Sequence, residues 1–391
     1  MVGSSERILT THVGSLVRPD DLVRCLRGHR DGDVDESELQ TVLARSVGDV
    51  VARQAEVGVD IVSDGEFGKT ISWSRYVLER LSGFEDRSEV AAHRPLGPRT
   101  DVERFPEFYD EYNRTQGFEE LMRNPWCVAP ITYTGQDAIA RDTANLHAAI
   151  DAARSAGHDV VGFMPAVAPA SVSYKRQDDY YPSEEDYVAA VGAALGQEYR
   201  AIIDAGLMLQ VDDAHLPMMY DNIVDPGTPD DFRSWARLRI DALNVALDGI
   251  PPERCRYHVC WGSFNSPHVG DVPFREIADL VLSVHVGAYA IEMANPRHEH
   301  EWRVWEDIDL PDDKVLIPGV IAHTTNVVEH PELVAERIVR LAGIVGRERV
   351  IAGTDCGFAQ GPYVRRVHPS IMWAKLDALV QGAALASSRL W

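Results

Sequence analysis

The sequence has little of what marks several common protein classes. Its five cysteines stand at positions 25, 127, 255, 260 and 356, and no two form a CxxC pair. Such an odd, scattered set argues against a disulfide framework and against a zinc finger or ribbon. No apolar run approaches the roughly 18 residues that a membrane helix needs. The first residues also lack the apolar core of a signal peptide, so we expect a cytoplasmic protein.

Positive charge is scarce as well. The formal net charge is -23, which would repel nucleic acids and anionic membranes, so we expect neither as a partner. No GxGxxG follows the first predicted strand and no GxxxxGK[ST] is present. The sequence therefore lacks the fingerprints of a dinucleotide-binding fold and of a phosphate-binding loop.

What the sequence does contain is a regular alternation of apolar, β-branched runs with amphipathic segments. The predicted strands lie near 8–15, 58–65, 160–167, 207–213, 256–262, 288–294, 315–321 and 349–355. Helical patterns fill most of the intervals, as in 37–57 and 184–205. Eight strands with crossover helices predict an α/β protein, a (β/α)₈ TIM barrel rather than an open sheet.

One interval departs from this alternation. Residues 68–135 are too many for a single connection and too aromatic for a linker. We predict an inserted excursion of helices and a β-hairpin after the second strand, with the short strand pair in WCVAPITYTG, packed over one end of the barrel. The whole chain, 1–391, is then interpreted as one domain.

A candidate metal site emerges at the carboxyl ends of the predicted strands. His258 and Cys260 are two residues apart, so their side chains share one face of a strand. Cys356 follows the last strand, and Glu292 interrupts an apolar one. Imidazole, thiolate and carboxylate groups together predict a zinc ion held by these four residues. The alternatives are that Cys260 is a small buried apolar residue and that Glu292 pairs with Arg297.

Other polar residues end the remaining strands. By alternation with Gln210, Asp212 should face the barrel axis, where it is a candidate contact for a substrate ammonium group. His323 is a candidate proton donor or acceptor, or a histidine that caps a helix or orients a ligand. His298 and His300 form a second pair, for which a solvated or hydrogen-bonded role is favoured over metal binding.

At these residues the chain resembles the catalytic barrel of cobalamin-independent methionine synthase, especially its short single-barrel relatives. The resemblance runs from about residue 8 to about residue 360. The matching segments are THVGSL (11–16), DIVSDGE (60–66), CVAPITY (127–133), LQVDD (209–213), YHVCWG (257–262), AIEMANPR (290–297), IPGVIAHTTN (317–326) and GTDCGF (353–358).

The resemblance implies a role for each matching position. It implies zinc ligands at His258, Cys260, Glu292 and Cys356, amino-acid thiol contacts at Val13, Gly14, Ser15, Glu66 and Asp212, and a proton donor at His323. The expected reaction is methyl transfer to a zinc-activated thiol such as homocysteine, giving methionine.

Two departures leave the electrophile open. The family stacks its folate on a tryptophan after the third barrel strand, but that segment here reads APASVSYK, with only Tyr174 as a substitute. The sequence also holds no counterpart of the family's extra N-terminal barrel. The methyl or alkyl donor could therefore be a folate, a corrinoid or another compound. One alternative is a thiol alkyltransferase or C–S lyase of the epoxyalkane–coenzyme M transferase type, with a sulfonate held by Arg18, Lys69 or Lys175. A second is a non-catalytic barrel that binds zinc or a thiol.

Overall fold

The computed structural model describes residues 3–87, 98–115 and 124–391, and its centre is an eight-stranded parallel sheet. All eight predicted strands are present. They are β1 (Leu9–Thr10), β2 (Ile61–Val62), β5 (Val161–Val167), β6 (Met208–Asp212), β7 (Cys255–Val259), β8 (Ala288–Ile291), β9 (Val315–Ile321) and β10 (Ile351–Thr354). Their order is β1-β10-β9-β8-β7-β6-β5-β2, and a parallel bridge from Thr11 to Ile61 joins the two edges. The predicted TIM barrel is confirmed.

Helices connect the strands and surround them. Their bounds are α1 (Asp20–Asp31), α2 (Glu36–Val57), α3 (Arg99–Arg104), α4 (Pro106–Thr115), α5 (Gln136–Ser155), α6 (Pro169–Val172), α7 (Glu184–Asp204), α8 (His215–Val224), α9 (Pro229–Ala246), α10 (Phe274–Leu282), α11 (Val304–Asp307), α12 (Pro331–Val345) and α13 (Pro369–Leu390). In the described part of the chain, none is long and apolar enough to span a membrane.

Local chemistry explains where these helices begin and end. For α2, the Asp35 carboxylate accepts a hydrogen bond from the backbone N–H of Glu38, and Gly58 ends the helix with a φ of 98°. These are a favoured N-cap and a favoured C-terminal glycine. Leu39 and Leu43, one turn apart, are buried against the barrel, so one apolar face orients the helix.

The excursion after β2 contains α3, α4 and a two-stranded sheet. Strand β3 (Phe84–Asp86) pairs antiparallel with β4 (Pro125–Cys127). The predicted strand pair within WCVAPITYTG is therefore wrong in its partner, because the first half of that segment pairs with residues about forty positions earlier instead of with its own second half. Residues 88–97 and 116–123 of the predicted excursion lie outside the described residues.

Packing separates apolar and polar regions inside the barrel. The large core lies between strands and helices. A smaller cluster of strand residues fills the interior toward the amino-terminal ends, made of Ile61, Phe163, Met208, Ala288, Ala290, Val315, Ile317 and Ile351. Another small sheet, β11 (Ala359–Gly361) with β12 (Val364–Arg365), follows β10 at the opposite end. The carboxyl ends of the strands are thus left to polar side chains, as in TIM-barrel enzymes.

Candidate active site

Three of the four residues predicted to bind zinc lie together at the carboxyl ends of the strands. His258 is on β7, Cys260 follows that strand, and Cys356 follows β10. Their ligand atoms lie within 4.8 Å of one another, and the two sulfurs are 3.5 Å apart. All three side chains are buried. An imidazole nitrogen and two sulfurs at this spacing form a donor set that suits zinc.

The hydrogen bonding of His258 fits a metal ligand. Its Nδ1 lies 3.2 Å from the carbonyl oxygen of Ala290, which can only accept, so Nδ1 carries the proton. Its Nε2 is buried and has no hydrogen-bond partner among the described residues. Burial lowers the pKa of His258 to about 3, so the ring is neutral at pH 7. Metal-binding histidines are commonly oriented in this way, with one nitrogen held by a carbonyl and the other open.

Without a bound cation, the environment of Cys260 favours the neutral thiol. The pKa of Cys260 lies well above its usual value because of the hydrogen bond with Cys356, and then because of burial and the charges of Cys356 and Glu292. A bound divalent cation reverses this effect, because it stabilises the thiolate directly. The residues present therefore fit a metal ion.

Glu292, the fourth predicted ligand, lies in a neighbouring group. One carboxylate oxygen accepts from the backbone N–H of Trp261 at 3.1 Å, and the other from Nδ2 of Asn295 at 3.0 Å. A ligand atom of Glu292 lies within 4.8 Å of ligand atoms of His323 and Asp355, rather than in the group that contains the two cysteines. Its coordination of the metal stays a prediction.

His323 and Asp355 are fully buried beside Glu292. Neither ring nitrogen of His323 has a hydrogen-bond partner in the described part of the chain, and burial lowers the pKa of His323 well below its usual value. Asp355 accepts from the backbone N–H groups of Met293 and Ala294 at 2.8 and 2.7 Å, which fixes the chain after β8. Burial, and then the charge of Glu292, raise the pKa of Asp355 well above its usual value. The sequence placed Asp355 at a strand end without giving it a role.

The turn Val13-Gly14-Ser15 lies directly against the segment that follows Cys356. The Ser15 hydroxyl donates to the carbonyl of Ala359, and the Ser15 carbonyl accepts from Phe358 N–H at 2.8 Å. Gly14 has a φ of 129°, and a β-carbon there would lie 3.0 Å from Oε1 of Glu66. Only glycine allows this approach and this conformation without strain. The predicted thiol contacts that follow β1 and β2 are therefore adjacent in space.

Glu66 and Asp212 bring two carboxylates to this end of the barrel, and a lysine accompanies them. Glu66 adopts a left-handed φ of 62°, and its Oε2 lies 3.2 Å from Nζ of the buried Lys69. Burial, and then the charge of Glu66, raise the pKa of Asp212 well above its usual value. Gln210 donates to Asp212 at 2.6 Å, so these two side chains share a face, whereas Asp213 accepts from Tyr257 at 2.8 Å on the other side of the strand.

An aromatic and apolar wall covers the two cysteines. Trp73 and Met218 pack against the small cluster of Cys260, Cys356 and Ala214. The Trp73 ring stacks on His215, and Tyr174 stacks on the same imidazole at 4.4 Å. Tyr174 is thus stacked on His215 and does not stand alone in this wall. Trp73 belongs to the excursion. Trp73 was not among the residues predicted from the sequence, and the aromatic content of the excursion was the one feature that could have pointed to it.

A buried network of charges supports the same loops. His298 stacks on Trp261 at 3.8 Å and donates to Glu301 and Asp271, and Asp271 also accepts from His268. Burial opposes protonation, but the hydrogen bonds to these carboxylates prevail and raise the pKa of His298 to about 10. His298 is hydrogen-bonded rather than exposed to solvent.

Comparisons with known proteins give full-length relatives. No protein-family model matches the chain. A methionine synthase of Sulfolobus acidocaldarius is 23% identical over 384 residues, covering 97% of this chain and 93% of that protein. The uncharacterized Bacillus subtilis protein YxjH is 23% identical over 378 residues, covering 94% and 92%. A B12-independent methionine synthase from a Shewanella species, solved with selenomethionine, superposes with a TM-score of 0.71 at 18% identity and covers 98% and 99% of the two chains. This last likeness establishes the common fold.

Proposed function

We propose that this chain, which is related over nearly its whole length to the cobalamin-independent methionine synthases, transfers a methyl group to the sulfur of homocysteine with the help of a zinc ion. The observation that carries the proposal is the convergence of His258, Cys260 and Cys356 within 4.8 Å. This group stands beside a turn and two carboxylates suited to an amino acid.

The side chains of His258, Cys260 and Cys356 would hold the zinc ion, with Glu292 as the predicted fourth ligand. When bound, zinc lowers the pKa of a coordinated thiol and leaves the sulfur nucleophilic, without redox chemistry of its own. A substrate sulfur would take an open position on the ion or the position of Glu292, because catalytic zinc sites keep an exchangeable position whereas structural sites are closed.

The amino-acid end of the substrate fits the residues around Gly14. The carboxylates of Glu66 and Asp212 would attract the α-ammonium group, and the backbone of Val13-Gly14-Ser15 would hold the α-carboxylate. Ionised Asp212 is costly here because it is buried near Glu66. An arriving ammonium group would offset that cost, so the two carboxylates favour a cationic partner.

His323 would supply a proton to the leaving group of the methyl donor. A neutral imidazole has one N–H and one lone pair, and both ring nitrogens of His323 lack a partner in the part of the chain that the structure describes. Burial keeps this ring neutral at pH 7. A neutral ring would pass its N–H proton to the leaving group while its other nitrogen takes up a proton, so that the ring stays neutral throughout.

The proposal is tested by zinc content and methionine formation in matched cysteine variants. We expect Cys356→Ser to lose at least tenfold in zinc affinity and most of the methionine formed from homocysteine, with folate, corrinoid and small methyl donors assayed separately. Cys255→Ser is the control, because Cys255 is also buried but lies at the start of β7, away from the group. Equal zinc binding by both variants, or no methionine from the wild-type protein with any donor, would contradict the proposal.

A second candidate is alkyl transfer to, or from, a sulfonated thiol. The observation in its favour is the buried Lys69, whose ammonium already lies 3.2 Å from Glu66, where a substrate ammonium would bind. Arg18 is also buried nearby and donates to the carbonyl of Glu66. Competition between homocysteine and 2-mercaptoethanesulfonate for the zinc-loaded protein separates the two functions. The ammonium group of homocysteine needs negative charge in the site, whereas a sulfonate needs positive charge.

A further inference from the structure

The backbone carbonyls of the first barrel turn are held by side chains from three other parts of the barrel. The His12 carbonyl accepts from Nη2 of Arg256 at 2.8 Å, and the Gly14 carbonyl from the Ser63 hydroxyl at 3.1 Å. Between them, the Val13 carbonyl accepts from Nε2 of Gln210. Consecutive carbonyls are thus anchored by side chains of β7, of the residue after β2 and of β6. Three side chains therefore hold this turn without any contribution from a substrate.

Gln210 differs from the other anchors because its amide reaches a second functional group. The same Nε2 donates to Oδ1 of Asp212 at 2.6 Å. Gln210 and Asp212 are two residues apart on β6 and face the barrel interior, and Gln210 is fully buried. One amide group therefore sets the separation between the Val13-Gly14-Ser15 turn and the Asp212 carboxylate.

The two partners of Gln210 depend on it to different degrees. Val13 is also held by its own N–H, which donates to Oγ1 of Thr354 at 3.3 Å, and by the anchored carbonyls on either side. For the Asp212 carboxylate, Gln210 is the one hydrogen-bond donor found within residues 3–87, 98–115 and 124–391. Removing the amide should leave the turn in place and release the carboxylate.

We infer that Gln210 is a positioning residue that sets the specificity of this site for an α-ammonium group, acting through Asp212. The inference rests on the proposed function only in taking an amino acid as the ligand. A ligand that carries both an ammonium and a carboxylate must span two groups at a set distance. A ligand that carries the carboxylate alone contacts only the turn.

The test compares L-methionine with 4-(methylthio)butanoate, which has the same thioether and carboxylate but no amino group. Binding of both to the metal-free chain is measured by titration calorimetry, so neither zinc nor a methyl donor is needed. We expect Gln210→Met to weaken methionine binding at least tenfold and to change binding of the deamino compound less than twofold. Gln210→Asn is the second variant, for use if Gln210→Met fails to fold. Its amide is too short to span both partners, so we expect the same change in the two affinities.

Two further variants distinguish this role from a structural one. Tyr257→Phe removes one buried hydrogen bond, to Asp213, on the outer side of the adjacent strand, and should leave the ratio of the two affinities unchanged. Asp212→Asn should weaken methionine binding, and adding Gln210→Met to it should cause less than a further twofold loss. Equal weakening of both ligands in Gln210→Met, full additivity with Asp212→Asn, or a wild-type protein without preference for methionine would each overturn the inference. Absence of methyl transfer would sink the proposed function alone.

Discussion

One buried carboxylate, Asp101 on α3, joins the excursion to the loop after β7. One of its oxygens accepts from the backbone N–H groups of Val269 at 2.8 Å and Gly270 at 3.3 Å. The other accepts from His268 N–H at 2.7 Å and from the Tyr109 hydroxyl at 3.3 Å. Asp101 is 0% exposed. Four donors therefore converge on a single carboxylate that joins α3 to the loop after β7.

The change Asp101→Asn preserves the size of the side chain but replaces one acceptor oxygen with an NH₂ group. That group would face two donors, so two hydrogen bonds to a charged acceptor are lost. Each such bond contributes about 1.5–3 kcal/mol, which gives an expected destabilisation of about 3–6 kcal/mol. His268 adds to this, because its left-handed φ of 54° is held partly by its bond to Asp101.

Urea unfolding followed by tryptophan fluorescence measures the loss, and amide hydrogen exchange at residues 268–270 locates it. Asp110→Asn is the control, because Asp110 is an exposed residue of the neighbouring helix α4. We also expect reduced activity, since the excursion carries Trp73, which covers the cysteines. A destabilisation below about 1 kcal/mol, or one equal to that of the control, would show that the four contacts do not hold the excursion.

Three further changes test other parts of the structure. The stabilisation from a raised folded-state pKa is fully present below the ordinary pKa of about 6.5 and is lost as pH rises through the folded value. His298 should therefore contribute about 4 kcal/mol to a fall in stability between pH 6.5 and 10, and His298→Gln should make that slope shallower in urea titrations; an unchanged slope would contradict this assignment. The Lys375 ammonium lies 2.8 Å from the buried carboxylate of Glu329, so Lys375→Met leaves that carboxylate without its cation and should lower the free energy of unfolding by about 3–5 kcal/mol. The double variant with Glu329→Gln should lose less than the sum of the two single losses, and additive losses would contradict the pairing. Gly14→Ala would place a β-carbon 2.5 Å from a proline ring at a left-handed φ, and should lower stability by more than about 1 kcal/mol and abolish methionine binding by calorimetry; unchanged binding would refute this account.

Much of the barrel was predictable because it depends on short-range patterns. Apolar, β-branched runs alternate with amphipathic segments, and each predicted strand corresponds to an observed one. The strand pair of the excursion was not predictable in this way. Its two strands are separated by helices and by about forty residues, and no local turn specifies their pairing.

The candidate site was likewise predictable only where it depends on local patterns. The shared face of His258 and Cys260 follows from the two-residue period of a strand, and the strand-end position of Cys356 follows from the preceding apolar run. The roles of Gln210 and Asp101 had no signal in the sequence, because a buried amide or carboxylate acquires its partners only when distant segments fold together. The resemblance to a known family identified candidate residues without giving their contacts.

By itself, the sequence determined the chemistry available to this protein: one histidine, two cysteines and several carboxylates at the ends of predicted strands, because residue types and strand periodicity are local properties. Only the tertiary structure decided which of them meet. Cys260 and Cys356 are 96 residues apart and follow strands that are not neighbours in the sheet, so their 3.5 Å separation requires the closed barrel. The same closure places a ligand atom of Glu292 within 4.8 Å of ligand atoms of His323 and Asp355, and hydrogen bonds from Trp261 and Asn295 orient its carboxylate.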